Sequence, residues 1–316
     1  MTDLTVRRIL IDLNTPFAVR WNGGDAFRSA FFNALSMSFP LGEQYFMDSV
    51  RAGLKTLPED QRARFATEVQ GFVGQEATHR RIHSLFNAQL TQQGFDNALE
   101  RRATRRLEAN AHREVRIHVA ATAATEHLTA IFADWMLSHP AALEGSEERL
   151  RTLWLWHSAE ESEHRSTAFD VYHAIGGNHE WRLRLFRYIT ITFFSDVARQ
   201  TVRNLWHDKA LFRWSTWRSA ARFLFGARGL ISSNRAQWRE YLREDFHPGQ
   251  QDGGPDGLGH VVHGAEFQGA QGDVAKIANR GRKDIQPGYG FPRGKRWKRH
   301  GHAAIVHGAR LRGRQE

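Results

Sequence analysis

The chain has 316 residues, with 44 Lys and Arg against 34 Asp and Glu for a formal charge of +10, and it contains no cysteine. That length, with 41% hydrophobic residues, allows a large packed core, while the lack of Cys excludes disulfide scaffolds, Cys-ligated zinc, iron–sulfur clusters and thiol nucleophiles. There is no signal-like apolar run at the N-terminus and no stretch of about 18 uncharged apolar residues, so the expectation is a cytoplasmic protein, free or peripheral to the inner face of the membrane.

Residues 5–21 carry the only β-like alternation, and Pro16 restricts them to an edge strand or an extended arm. Residues 1–25 are accordingly read as an N-terminal extended arm. From Ala26 to about Leu54 the apolar spacing is helical, with Pro40 and Gly42 marking a bend or a restart. Pro58, Glu59 and Asp60 signal the start of a second helix, which runs to about Gln93 and stops at Gly94. A short charged helix is expected over Asn97 to Asn110, and a third long helix from about Arg113 to Leu137, ahead of Pro140. A fourth runs from Glu144 to Ala174 and is closed by Gly176 and Gly177. Two further helical stretches, Trp181–Trp206 and Leu211–Asp245, complete an all-α body.

The charge is unevenly spread. Residues 1–181 carry 19 basic and 23 acidic residues, whereas 182–246 carry 13 and 5, and 247–316 carry 12 and 6. Between 182 and 243 arginines alternate with large apolar residues, as at Leu185, Phe186, Arg187, Tyr188, Phe212, Arg213 and Trp214. This pattern suits helices that cap the bundle and wall an apolar channel, or that lie on an anionic membrane surface. No nucleic-acid-binding module is visible, so nucleic acid is not an expected partner. Residues 247–316 hold 15 of the 27 glycines and 4 of the 6 lysines, and read as a mostly disordered Gly-rich basic tail. Within it lie a candidate short helix near Val274–Asn279 and a basic run, Arg293–His300. The abrupt change of composition also admits out-of-frame sequence.

Two helices repeat one pattern. Glu76 and His79 stand three apart in the second helix, and Glu161 and His164 three apart in the fourth, a spacing that places each pair on one helical face. A glutamate in apolar company precedes each pair on the preceding long helix: Glu43 by 33 residues and Glu126 by 35. A bare carboxylate on an apolar face is costly unless paired, protonated or bound to a cation. The order Glu, Glu-x-x-His, Glu, Glu-x-x-His matches the dinuclear site of ferritin-like carboxylate bundles. Residues 26–177 are therefore read as a ferritin-like four-helix bundle and 178–246 as additional C-terminal helices. Hard oxygen donors, two imidazoles and no sulfur favour two divalent ions, iron first and manganese second.

His83 follows His79 by four residues and His157 precedes Glu161 by four, so each shares its motif's face. Each is a candidate catalytic residue, as a further ligand, a group supporting a ligand, or a proton shuttle. Glu160 and Glu163 are expected at the surface or behind the ligands, and His127 faces about 100° away from Glu126. Tyr45 and Trp156 stand near enough to be redox-active neighbours, although core packing is the simpler reading.

These residues also carry a family resemblance. Phe32–Ser36, Phe39–Glu43, Val50-Arg51, Gln75–His79, Thr125–His127 and His157–His164 resemble the bacterial family of predicted metal-dependent hydrolases, over about residues 5–246. The resemblance implies a metal-dependent hydrolase, and the apolar channel that the 182–243 helices could wall suggests a small, apolar substrate. A di-iron oxidase or oxygenase uses the same scaffold, and a metal-storage or ferroxidase protein, or a membrane-associated non-enzyme, are the non-catalytic alternatives. A homodimer is an open expectation.

Overall fold

The computed structural model describes residues 4–7 and 9–250. The glycine-rich segment is outside them from residue 251 onward, together with the candidate helix near Val274–Asn279 and the basic run Arg293–His300.

The described residues form an all-α body with no strand. Its long helices are α1 (Ala26–Thr56), α2 (Glu59–Gln92), α4 (Val115–Ser138), α5 (Glu148–Glu163) and α7 (His179–His207); the shorter ones are α3 (Ala98–Asn110), α6 (Thr167–Ala174), α8 (Trp214–Phe225), α9 (Leu230–Ser233) and α10 (Arg235–Glu240). Local chemistry sets most ends. The Asp25 side chain caps α1 by accepting from the Arg28 N–H. Glu59 and Asp60 place negative charge in the first turn of α2, and Gly94, at φ 85°, reverses the chain at its end.

Helix α1 is the central element, packing against α2, α4 and α7, and α4 in turn packs against α5, α6 and α7. One apolar cluster gathers Trp21, Phe32, Phe86, Trp154 and Phe223, and a second gathers Val50, Phe72, Val119, Phe169 and Tyr241. No described helix is long and apolar enough to cross a membrane.

The structure departs from the expected helices in two places. The fourth helix is interrupted after Glu163 and resumes at Thr167. The break falls where consecutive side chains take partners about two turns apart on α4: His164 reaches Glu126, and Arg165 pairs with both oxygens of Asp134. The expected helix from Leu211 to Asp245 is three short pieces, α8 to α10, separated around Gly226–Gly229 and Asn234.

Residues 4–7 and 9–18 lie outside helices and join no sheet, and the chain then turns over 19–24 into α1. Ile9, Leu13, Phe17 and Trp21 bury their side chains, and side chains rather than a partner strand satisfy the backbone carbonyls. Gln75, Gln89 and Gln93 of α2 and its end donate to Thr5, Asn14 and Phe17, while Arg149 donates to Asp12, Thr15 and Pro16. Close approach is possible because α2 carries glycines there. A Cβ on Gly71 would lie 2.6 Å from Leu4 Cβ, and one on Gly74 would lie 2.5 Å from Val6 Cγ2.

Candidate metal centre

Glu43 comes from α1, Glu76 and His79 from α2, Glu126 from α4 and Glu161 from the last turn of α5, with His164 capping that helix. All six are buried. His79 Nδ1 lies 3.3 Å from Glu161 Oε1 and 3.9 Å from Glu76 Oε1. His164 Nε2 lies 3.3 Å from Glu76 Oε1 and 3.9 Å from Glu161 Oε1. The two Glu-x-x-His pairs thus meet face to face, with ligand-capable atoms all within 4.8 Å of one another.

The outer nitrogen of each histidine is already used. His79 Nε2 donates to Glu160 Oε2 at 3.0 Å, and His164 Nδ1 donates to Glu126 Oε2 at 2.9 Å. Glu160 is itself fixed by the Arg7 backbone N–H, and Glu163 beside it accepts from Arg7 and Gln75. Glu160 is therefore not a surface group but the buried residue that orients His79, and the N-terminal segment holds it. Such carboxylate–imidazole bonds set the ring so that its other nitrogen faces inward. Trp156 packs edge-on against His79 at 5.1 Å, Tyr45 bonds His118, and His127 turns away to donate to the Gln237 carbonyl.

What remains inside is unsatisfied. Both oxygens of Glu43, both of Glu76, Glu126 Oε1, Glu161 Oε2, His79 Nδ1 and His164 Nε2 are buried without a hydrogen-bond partner. Buried polar atoms are almost always paired, so this concentration fits bound cations. The donor set, carboxylate and imidazole without sulfur, fits divalent iron or manganese.

His83 and His157 join through a relay that begins with Pro40. Lying inside α1, Pro40 has no N–H for the Ser36 carbonyl four residues earlier. Asn87 Nδ2 donates to that carbonyl instead, at 2.9 Å. So oriented, Asn87 accepts the Ser36 hydroxyl at Oδ1, 2.8 Å away. The hydroxyl has then used its only proton and accepts from His83 Nδ1 at 2.9 Å. His83 Nε2 is left with a lone pair, which accepts from His157 Nδ1 at 3.1 Å. His157 is thereby set as the Nδ1–H tautomer, its Nε2 lone pair 3.4 Å from Glu161 Oε1. Two acceptors facing each other at that distance repel unless a proton or cation lies between them. The ligand-capable atoms of Glu43, His83 and His157 also lie within 4.8 Å of one another, but both His83 nitrogens are engaged in the relay. Glu43 and His157 hold the free atoms of this second group.

Protonation follows the same division. Burial pushes Glu43 and Glu76 well above the usual carboxylate range and raises Glu126 against the pull of His164. Burial also opposes ionisation of Glu161, yet the neighbouring His164 and His79 rings outweigh it and hold this carboxyl well below its ordinary value. Burial would lower His79, but its bond to Glu160 and the facing Glu161 carboxylate bring it up to about 10. His164 is likewise raised, against burial, by Glu126 and Glu161. Burial, with neighbouring histidine charge, lowers His157 to about 3 and His83 well below its ordinary value. Without metal, the electrostatics favour an ionised Glu161 beside a protonated His79 and a raised His164, with His83 and His157 held neutral by burial.

A cavity of about 410 Å³ reaches this centre. Phe31, Leu35, Phe39, Leu128, Ile131 and Phe132 help to wall it, and buried His157, Ser158 and Glu161 form its inner end. Sequence spacing put Glu76 with His79 and Glu161 with His164 on common helical faces, and the structure brings these four together. Spacing gave no signal for Ser36 and Asn87, whose roles depend on a carbonyl freed by a proline on one helix meeting an amide on another. A family model described as predicted metal-dependent hydrolase matches residues 5–252, and no curated protein or solved structure matches the chain.

Proposed function

The chain belongs to the family of predicted metal-dependent hydrolases, and on that premise we propose an enzyme in which Glu43, Glu76, His79, Glu126, Glu161 and His164 hold two divalent metal ions at the end of an apolar substrate cavity. The observation that carries this reading is that each of the six has a buried, ligand-capable atom without a hydrogen-bond partner. The cavity that meets them favours catalysis over storage.

Bound metals would supply Lewis acidity and lower the pKa of water at the site. The chain's own groups do the rest. His157, neutral and with its Nε2 lone pair turned to Glu161, serves as a further ligand or as the base that takes a proton from water. His83, Ser36 and Asn87 keep it in that tautomer, which makes His83 a positioning residue. The apolar walls exclude bulk water and so strengthen each charge interaction at the floor. The reaction is hydrolysis of an ester or amide-like bond in an apolar substrate.

A second reading, oxidation of the same kind of substrate by dioxygen at a di-iron site, is favoured by the sulfur-free carboxylate–histidine donor set and its ferritin-like order. Exposing the ferrous protein to air separates the two: new visible absorption with stoichiometric oxygen uptake supports oxidation, and unchanged spectra with ester turnover support hydrolysis. The exposed Ile191, Phe194, Trp206, Phe212 and Trp214 amid arginines support peripheral contact with an anionic membrane.

Metal analysis of the purified protein tests the central reading. About two metals per chain are expected for this ligand pattern, falling below about one in Glu76→Ala. Less than about one metal in the parent protein, unchanged by Glu76→Ala, overturns it.

A further inference from the structure

The cavity is polar only near its two ends, and those ends differ in kind. At the buried end stand His157, Ser158 and Glu161. The Ser158 hydroxyl there is buried without a hydrogen-bond partner, leaving a free donor and acceptor for a bound molecule. At the exposed end stand Asn234, Arg235 and Arg239 of the α9–α10 segment, with Phe194 of α7. Polar side chains elsewhere in the lining are already used: the Thr129 hydroxyl donates to the Glu126 carbonyl, and Trp238 Nε1 donates to Thr190.

Arg235 and Arg239 are four residues apart on α10 and so share a face, where like charges repel. Both are exposed, and neither has an ion pair or a side-chain hydrogen bond among the described residues. The nearby carboxylate of Asp134 is taken by Arg165 and faces Gln237. Two guanidinium groups without an ion pair among the described residues stand at the mouth and attract an anion there.

Building on the proposed enzymatic reading, we infer that the substrate is a single-chain amphiphile with an anionic headgroup. Arg235 and Arg239 hold the headgroup at the mouth, and the apolar chain runs inward between Phe39, Leu128, Phe132 and Phe193. The bond that reacts then lies along the chain or at its far end, presented to His157 and Glu161, and Ser158 hydrogen-bonds the polar function there. The head itself does not react. A cavity of about 410 Å³ falls within the roughly 300–1,000 Å³ of small-ligand sites.

Binding to the metal-free protein tests this independently of any turnover. Three probes of equal chain length, dodecanoate, dodecanol and dodecyltrimethylammonium, are titrated by calorimetry and by intrinsic tryptophan fluorescence, with Trp238→Phe identifying the contribution of Trp238 in the lining. Dodecanoate is expected to bind saturably and about tenfold or more tighter than the other two. The double substitution Arg235→Ala, Arg239→Ala should erase that preference while leaving metal content unchanged, and Ile231→Trp in the lining should weaken all three probes. Equal affinity for the three probes, a preference that survives the double substitution, or no saturable dodecanoate binding by protein with its normal circular-dichroism spectrum overturns the inference. Loss of metal binding would sink the enzymatic reading through the metal assay and leave the dodecanoate preference intact, so the two failures are distinguishable.

Discussion

In the half-site built on Glu43, Glu76 and His79, the upstream glutamate has no partner at either oxygen, and the histidine is oriented by Glu160 from the opposite half. In the half-site built on Glu126, Glu161 and His164, the upstream glutamate itself orients the histidine through one oxygen and keeps only the other free. The helices differ accordingly. Helix α2 runs unbroken past His79, whereas α5 ends at His164 so that this ring and Arg165 can both reach α4. A repeated sequence motif therefore fixes which side chains point inward, but two such repeats need not divide the labour of binding and orienting in the same way.

The largest expected effect probes the protons common to both halves. Glu43, Glu76, Glu126, His79 and His164 all hold protons more tightly than usual, and metal binding has to displace those they carry. Apparent metal affinity should rise with pH by about tenfold per pH unit for each proton displaced, with matching proton release in unbuffered titrations. A flat pH profile between pH 6 and pH 8 would place the metals elsewhere.

A smaller effect separates the two orienting carboxylates. Glu160→Gln leaves an amide oxygen that still accepts from His79, and should weaken metal binding by about tenfold, the low end for a supporting partner. Glu126→Gln keeps the bond to His164 but removes an anionic donor, and should cost about a hundredfold or more. Equal losses would mean that both residues only orient a ring and that the asymmetry has no bearing on metal binding.

The smallest effect is on stability. Burial raises the Glu43 pKa, so the unfolded chain gives up this proton first and the metal-free fold loses stability as pH rises from about 4.5 upward. Glu43→Gln should stabilise the metal-free protein at pH 7 by about 1–3 kcal/mol, the scale of one uncompensated buried polar group, with little gain at pH 4. With metal bound the sign should reverse. Thermal melts with and without chelator measure both, and a Glu43→Gln variant less stable than the parent in chelator would show that the carboxyl has found a partner.

Much of this could be read from the residues. Helical periodicity broken by Pro58, Gly94, Pro140 and Gly176 gave an all-α chain, and i,i+3 spacing set Glu76 with His79 and Glu161 with His164 on common faces, because helix geometry alone fixes those relations. Pro40 was legible as a perturbation of α1, though not its consequence. Only the tertiary structure brought Asn87 to the carbonyl that Pro40 leaves free, and through Ser36 and His83 chose the tautomer of His157. Only packing made Glu160 a buried partner of His79, closed α5 at His164, and opened a cavity from the candidate metal centre to Arg235 and Arg239. The division has a simple physical origin. Spacing along one helix is set by local backbone geometry, whereas a hydrogen bond between helices depends on which donors and acceptors the fold leaves unpaired in the same place.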